Sequence, residues 1–176
     1  RHFALESMEL FTQGSVRERQ DLCGQNAGIG SAGIAKGEGE TFVITTEKVK
    51  VTFTNRGGDI ISYELLDHKD GDVYVQMADN ITESNRAFSV AFGSSSDGII
   101  NDIFNVKQID DKTIGFYKTF IVNNEDGTTS SFVLAKQYTF KDDDYIFRLD
   151  ISIDGDETMK ELVFGNTAYT VRTSPQ

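Results

Sequence analysis

Thr41-Phe42-Val43-Ile44-Thr45-Thr46-Glu47-Lys48-Val49-Lys50-Val51-Thr52-Phe53-Thr54-Asn55-Arg56-Gly57-Gly58-Asp59-Ile60-Ile61-Ser62-Tyr63-Glu64-Leu65-Leu66 is the stretch whose period decides the fold. Val49, Val51 and Phe53 fall on one side of an extended chain, Lys50 and Thr52 on the other, and alternation resumes through Ile61, Tyr63 and Leu65. Between the two runs, Arg56-Gly57-Gly58-Asp59 reads as a structural turn, because adjacent glycines accept positive φ at little steric cost. Arg56 and Asp59 are expected to make a local ion pair or a solvated flank. The segment is architectural rather than catalytic.

The same pattern continues downstream. Asp70-Gly71-Asp72 is a turn, and Val73 to Val75 a short strand. Phe88, Val90 and Phe92 alternate, and Ile103–Ile109 and Thr113–Val122 are strands joined across Asp110-Asp111-Lys112. Asn123 to Gly127 is a turn leading to Ser130–Phe140. The last hairpin crosses Lys141 to Asp144, after which Tyr145, Phe147, Leu149, Ile151 and Ile153 share one face. One face buried and one wet, with no credible long helix after residue 40, makes an all-β antiparallel sandwich the expected class. Residues 1–40 read differently. Phe3, Ala4, Met8 and Phe11 fit one side of a short N-terminal helix, and residues 14–40 form a Gly-rich linker. The expected division is therefore a spacer over 1–40 and a β-sandwich over 41–176.

Composition narrows the function classes. The 176 residues suit one domain, with 13 Phe, no Trp and a single proline at Pro175. A net charge of −11 argues against nucleic acid and anionic lipid as partners. Residues 1–40 hold six acids and four bases and residues 41–176 hold 22 and 13, so most of the negative charge belongs to the β-rich part. Cys23 is the only cysteine and cannot close a disulfide within the chain. No window reaches the roughly 18 to 20 apolar residues of a membrane span. Arg1 in place of Met reads as the start of an excised or processed fragment.

Chemistry-bearing patterns are few. His2 and His68 lie in different segments, His68 in the polar stretch Leu66-Asp67-His68-Lys69-Asp70, read as a turn with an exposed imidazole. No Gly-x-Ser-x-Gly elbow is present. Gly28, Gly30 and Gly33 satisfy Gly-x-Gly-x-x-Gly, but no buried strand precedes them and no clear helix follows to hold a pyrophosphate. Asp142-Asp143-Asp144 lacks the spaced ligands of a calcium loop and fits a tight hairpin. Asn80-Ile81-Thr82 is a glycosylation sequon only in a eukaryotic secretory setting. No catalytic, cofactor-binding or metal residue is therefore assigned.

Two stretches resemble the periplasmic domain of the bacterial YidC membrane protein insertase family. Phe42 to Ile60 is similar to that domain's opening strand and Arg-Gly-Gly-Asp turn. Lys118 to Val122, Asp126-Gly127 and Lys136 to Tyr145 are similar to its central meander, and Ala168 to Gln176 is compatible with it. The resemblance covers residues 41–176 and implies a super-β-sandwich of galactose-mutarotase-like shape. It implies a place on the periplasmic side of the bacterial inner membrane, within a membrane-anchored parent. Family members continue with further strands, which implies an incomplete sandwich here, with an exposed edge to be covered by the N-terminal segment or another copy. The implied role is non-enzymatic: contact with Sec translocon subunits and nascent membrane proteins, without a cofactor. The alternative is an aldose-epimerase-like or carbohydrate-binding β-sandwich, which would need a placed acid and base that these histidines do not supply. A secreted adhesion or scaffold module is the third reading.

Overall fold

The computed structural model describes residues 29–31, 39–92, 98–123, 126–155 and 169–172, and every regular element among them is a β-strand. They are β1 (Ile29–Ser31), β2 (Thr41–Thr45), β3 (Val49–Thr54), β4 (Asp59–Asp70), β5 (Val73–Gln76), β6 (Ser89–Phe92), β7 (Asn105–Asp110), β8 (Thr113–Asn123), β9 (Thr129–Phe140), β10 (Phe147–Gly155) and β11 (Tyr169–Arg172). The helix expected near the N-terminus lies outside the described residues. Ile29–Ser31, within the stretch read as linker, pairs with β8.

Two antiparallel sheets face each other. One has the order β2-β3-β4-β5; the other runs β10-β9-β8, with β7 and β1 end to end along the free edge of β8. The β8–β9 ladder runs unbroken from Thr113↔Thr139 to Asn123↔Thr129. Aromatic rings join the layers: Phe53 of β3 lies 4.9 Å from Tyr138 of β9 and 5.7 Å from Phe116 of β8. Further along, Phe120 stacks on Phe132 at 5.4 Å, and Phe92 meets both edge-on. Apart from the partly buried Phe92, these rings are buried, and a fully buried large side chain contributes about 1.5 to 3 kcal/mol of apolar driving force.

The structure departs from simple alternation in several places. The β3–β4 register slips between Thr52↔Ser62 and Phe53↔Ile60, so Ile61 is the extra residue of a bulge. Ile60, not Ile61, therefore faces Phe53 in the core. His68 is not in a turn: β4 continues to Asp70, and residues 66–68 lack partners on β5 because the register jumps from Leu65 to Lys69. Tyr145 precedes β10 and lies in the connection, while Phe147, Leu149, Ile151 and Ile153 are buried as the alternation predicts. In β6 both faces are buried, since Ser89 and Ala91 are as enclosed as Val90. A third, two-stranded sheet pairs β6 with β11.

Candidate functional site

The Arg56–Asp59 turn lies under other chain. Arg56 bridges to Ile103, the Gly57 amide donates to the Asp102 carbonyl at 2.9 Å, and the Phe104 amide donates to Asn55 at 2.8 Å. Gly57 and Gly58 have φ of 72° and 65°. A Cβ on Gly58 would stand 2.6 Å from Phe116 Cβ, and one on Gly57 would stand 2.7 Å from the Ile100 carbonyl oxygen. Close approach and backbone conformation both demand glycine there.

Asp59 closes the turn and is fully buried. The local pair with Arg56 does not form: Arg56 reaches instead to the Asn101 carbonyl at 3.1 Å. Asp59 takes two distant cations. Lys136 Nζ donates to Oδ1 at 2.5 Å and Arg86 Nε to Oδ2 at 2.9 Å. Arg86 is brought there by a bridge between Ala87 and Ile60, with both backbone hydrogen bonds made. Lys136 is delivered by its register on β9, opposite Phe116.

One carboxylate cannot neutralise two buried cations, and the surplus is spread over oxygens. Lys136 gives its other two protons to the carbonyls of Gly57 at 3.1 Å and Phe88 at 2.7 Å. Arg86 also donates to the carbonyls of Ile100 and Glu83 and to Asn101 Oδ1. Burial pulls the Lys136 ammonium below the ordinary lysine range; Asp59 pushes back and Arg86 adds to the fall. The Tyr138 hydroxyl donates to the Gly58 carbonyl at 2.9 Å, and burial holds its phenol well above the usual value. Phe88, whose carbonyl Lys136 holds, has φ of 59°, a strained value for a non-glycine residue. The cluster thus pins the turn, β9 and the entry to β6 together. Ser89 Oγ is buried without a hydrogen-bond partner, while all three Lys136 protons are committed elsewhere, so these two residues do not form a Ser–Lys nucleophile pair.

A second cluster is on the surface. Lys48 Nζ donates to Asp67 Oδ2 at 2.6 Å and the Tyr145 hydroxyl to the same oxygen at 2.8 Å, which holds the Asp67 carboxyl below its ordinary range. The His68 ring lies 5.7 Å from that of Tyr145. The carboxylate nearest His68 in sequence is therefore engaged by Lys48 and Tyr145. Asp142 pairs with Lys112 at 2.8 Å, Gly30 sits opposite Ile121 in β1, and Asn80 has φ of 57°. His2, Cys23, Gly28 and Gly33 lie outside the described residues. Among the described residues no group of three or more His, Cys, Asp and Glu is placed to hold a metal ion.

Sequence reasoning did not single out Arg86, Lys136, Tyr138, Asn101 or Ser89. Lys136 had a legible signal: it occupies an inward position in the series Phe132, Leu134, Lys136, Tyr138, Phe140, where a cation requires a buried acceptor. Arg86 had none, because its segment is irregular.

The family model for the YidC periplasmic domain matches residues 41–176. The chain belongs to this family. Within the YidC family, its similar relatives include the protein named membrane protein insertase YidC from Treponema denticola, 46% identical over 143 residues. That alignment covers 78% of this chain and 25% of the relative. The protein of the same name from Treponema pallidum is 43% identical over 122 residues, covering 66% of this chain and 20% of the relative. The chain thus spans about a quarter or less of the YidC proteins it matches. No solved structure matches it.

Proposed function

We propose that this chain is the extracytoplasmic domain of a membrane protein insertase, held on the periplasmic side of the inner membrane by parts of its parent. It supports insertion and folding of membrane proteins through contacts with clients and Sec translocon subunits, without chemistry of its own. The identity to a relative named as an insertase carries this reading, since 46% over 143 residues spans most of the β-sandwich. The internal use of the buried charges supports it as well. Asp59, Arg86 and Lys136 are spent on one another and on backbone carbonyls, a stabilising arrangement rather than a substrate site. No described helix is long and apolar enough to cross a membrane, so the spanning parts are assigned to other regions of the parent. Residues 41–176 are the folded unit in this reading, with β1 added to its sheet, and the segment before β1 leads to it from the anchor.

The test is site-specific crosslinking in intact cells, with photoreactive residues at exposed positions such as Tyr117, Val43 and Val73. Adducts with nascent membrane proteins or translocon subunits are expected. Uniform absence of adducts, with the parent present at normal levels, would count against the reading.

A further inference from the structure

We propose that the outer part of the β4–β5 hairpin is a register switch, whose three surplus residues sit either at its base, as in this structure, or at its tip. From Leu65↔Val75 to Asp70↔Val73 the chain takes five residue steps on β4 against two on β5, so residues 66–68 are left over. Each end of the hairpin has an anchor of its own. At the base the Gln76 side chain fixes the register: its oxygen accepts from the amides of Tyr63 and Ala78, and its nitrogen donates to Ser62 Oγ at 2.7 Å. At the tip Gly71-Asp72 closes a two-residue loop with φ of 64° at Gly71, the pattern of a type II′ hairpin turn. The two anchors impose registers that differ by three residues, and the surplus must be stored somewhere between them.

With the surplus at the base, side chains from outside the hairpin hold it. Asp67 takes both Lys48 Nζ and the Tyr145 hydroxyl, the His68 ring lies against that of Tyr145, and the Leu66 amide donates to the Lys48 carbonyl at 2.8 Å. Across the ladder, Lys69 Nζ stands 4.9 Å from the centre of the Tyr74 ring. Continuing the base register instead pairs Leu66 with Tyr74 and Asp67 with Val73, and moves the surplus into a five-residue loop over 68–72, a length that hairpins also close. This second pairing brings Leu66 beside the exposed Tyr74 and gives Val73, 69% exposed here, a strand neighbour. It gives up the ties of Asp67 and His68 to Lys48 and Tyr145. Exposed ties of that kind are individually weak, which keeps the two registers close in free energy. The switch therefore assembles the Lys48, Asp67 and Tyr145 set in one state and disperses it in the other, and a partner that contacts the set selects the base register by its difference in affinity.

The experiment uses the whole chain with Cys23→Ser and one of two cysteine pairs, each equilibrated in a glutathione buffer to measure how readily its disulfide closes. Lys69→Cys with Tyr74→Cys reports the base register, and Leu66→Cys with Tyr74→Cys reports the tip register, since only residues opposite each other on neighbouring strands meet the geometry of a disulfide. Closure of the first pair is expected to dominate. Asp67→Ala, which removes the anchor of the base state, should raise closure of the second pair about fivefold without raising the first. Gly71→Ala should raise it about tenfold, because an L side chain is strained at that φ only while the two-residue turn persists. A Cβ there meets nothing within 4 Å, so the change acts through the turn alone and leaves the core untouched. Circular dichroism checks that both variants are folded. No rise of the second pair in either variant, or an equal rise of both pairs, would overturn the proposal.

Discussion

Gly58, Lys136 and Ser89 show three ways in which one residue sets stability in this core. Gly58 combines φ of 65° with Phe116 at its door, so Gly58→Val should cost about 3 kcal/mol or more, measured by denaturant unfolding. Unchanged stability would mean that the bend lies elsewhere. Lys136→Met removes one partner of a buried ion pair and strands the Gly57 and Phe88 carbonyls, with an expected loss of about 3 to 5 kcal/mol. Ser89→Ala goes the other way. Its hydroxyl is buried and unpaired, so removal should leave stability unchanged or raise it by about 1 kcal/mol, visible as a higher unfolding midpoint.

At the level of elements, the bulge in β4 decides whether the turn and the core agree. With Ile61 as the extra residue, Ile60 faces Phe53, and Asp59 comes level with Arg86 and Lys136. Deleting Ile61 would join Ser62↔Thr52 directly to Ile60↔Phe53 and remove the bend and added twist of the bulge, which moves Asp59 away from the level of Arg86 and Lys136. Loss of cooperative unfolding in the deletion variant is expected, read by near-ultraviolet circular dichroism and the denaturant slope. A cooperative transition of normal slope would show that the bulge is dispensable. Period-two reading located β3 and β4, but the bulge was not legible in it. An extra residue leaves hydrophobic residues at both Ile60 and Ile61, and only pairing with β3 and the bridge from Ile60 to Ala87 chooses between them.

For the whole molecule, the alkaline limit of stability follows from two enclosed phenols. Burial raises both Tyr63 and Tyr138 above the usual value of 10, with Tyr63 further raised by Asp144 and Tyr138 by Asp59. The folded chain therefore keeps these protons where the unfolded chain releases them. The phenol contribution to stability is complete below about pH 10 and falls as pH rises through the interval between unfolded and folded values. Lys136 runs oppositely: its folded value is lowered, so the unfolded chain binds more protons below the ordinary lysine range and stability rises with pH there. Tyr138→Phe isolates the phenol contribution and should flatten the decline above pH 10 in a series of urea unfolding curves. An unaltered slope would mean that the Tyr138 hydroxyl does not stay protonated in the fold.

The chain by itself determined the class of this protein, because strand alternation and turn residues are local and repeat along most of its length. It also carried the family resemblance, through Phe42 to Ile60 and the meander ending at Tyr145. Tertiary structure alone decided what the Arg-Gly-Gly-Asp turn does. Asp59 ignores its neighbour Arg56 because the turn is buried beneath residues 100–104, and a buried carboxylate must take whatever cations the packing brings to it. Those cations come from positions 86 and 136, far away in the chain, and only the bridge at Ala87 and the register of β9 bring them to the same carboxylate.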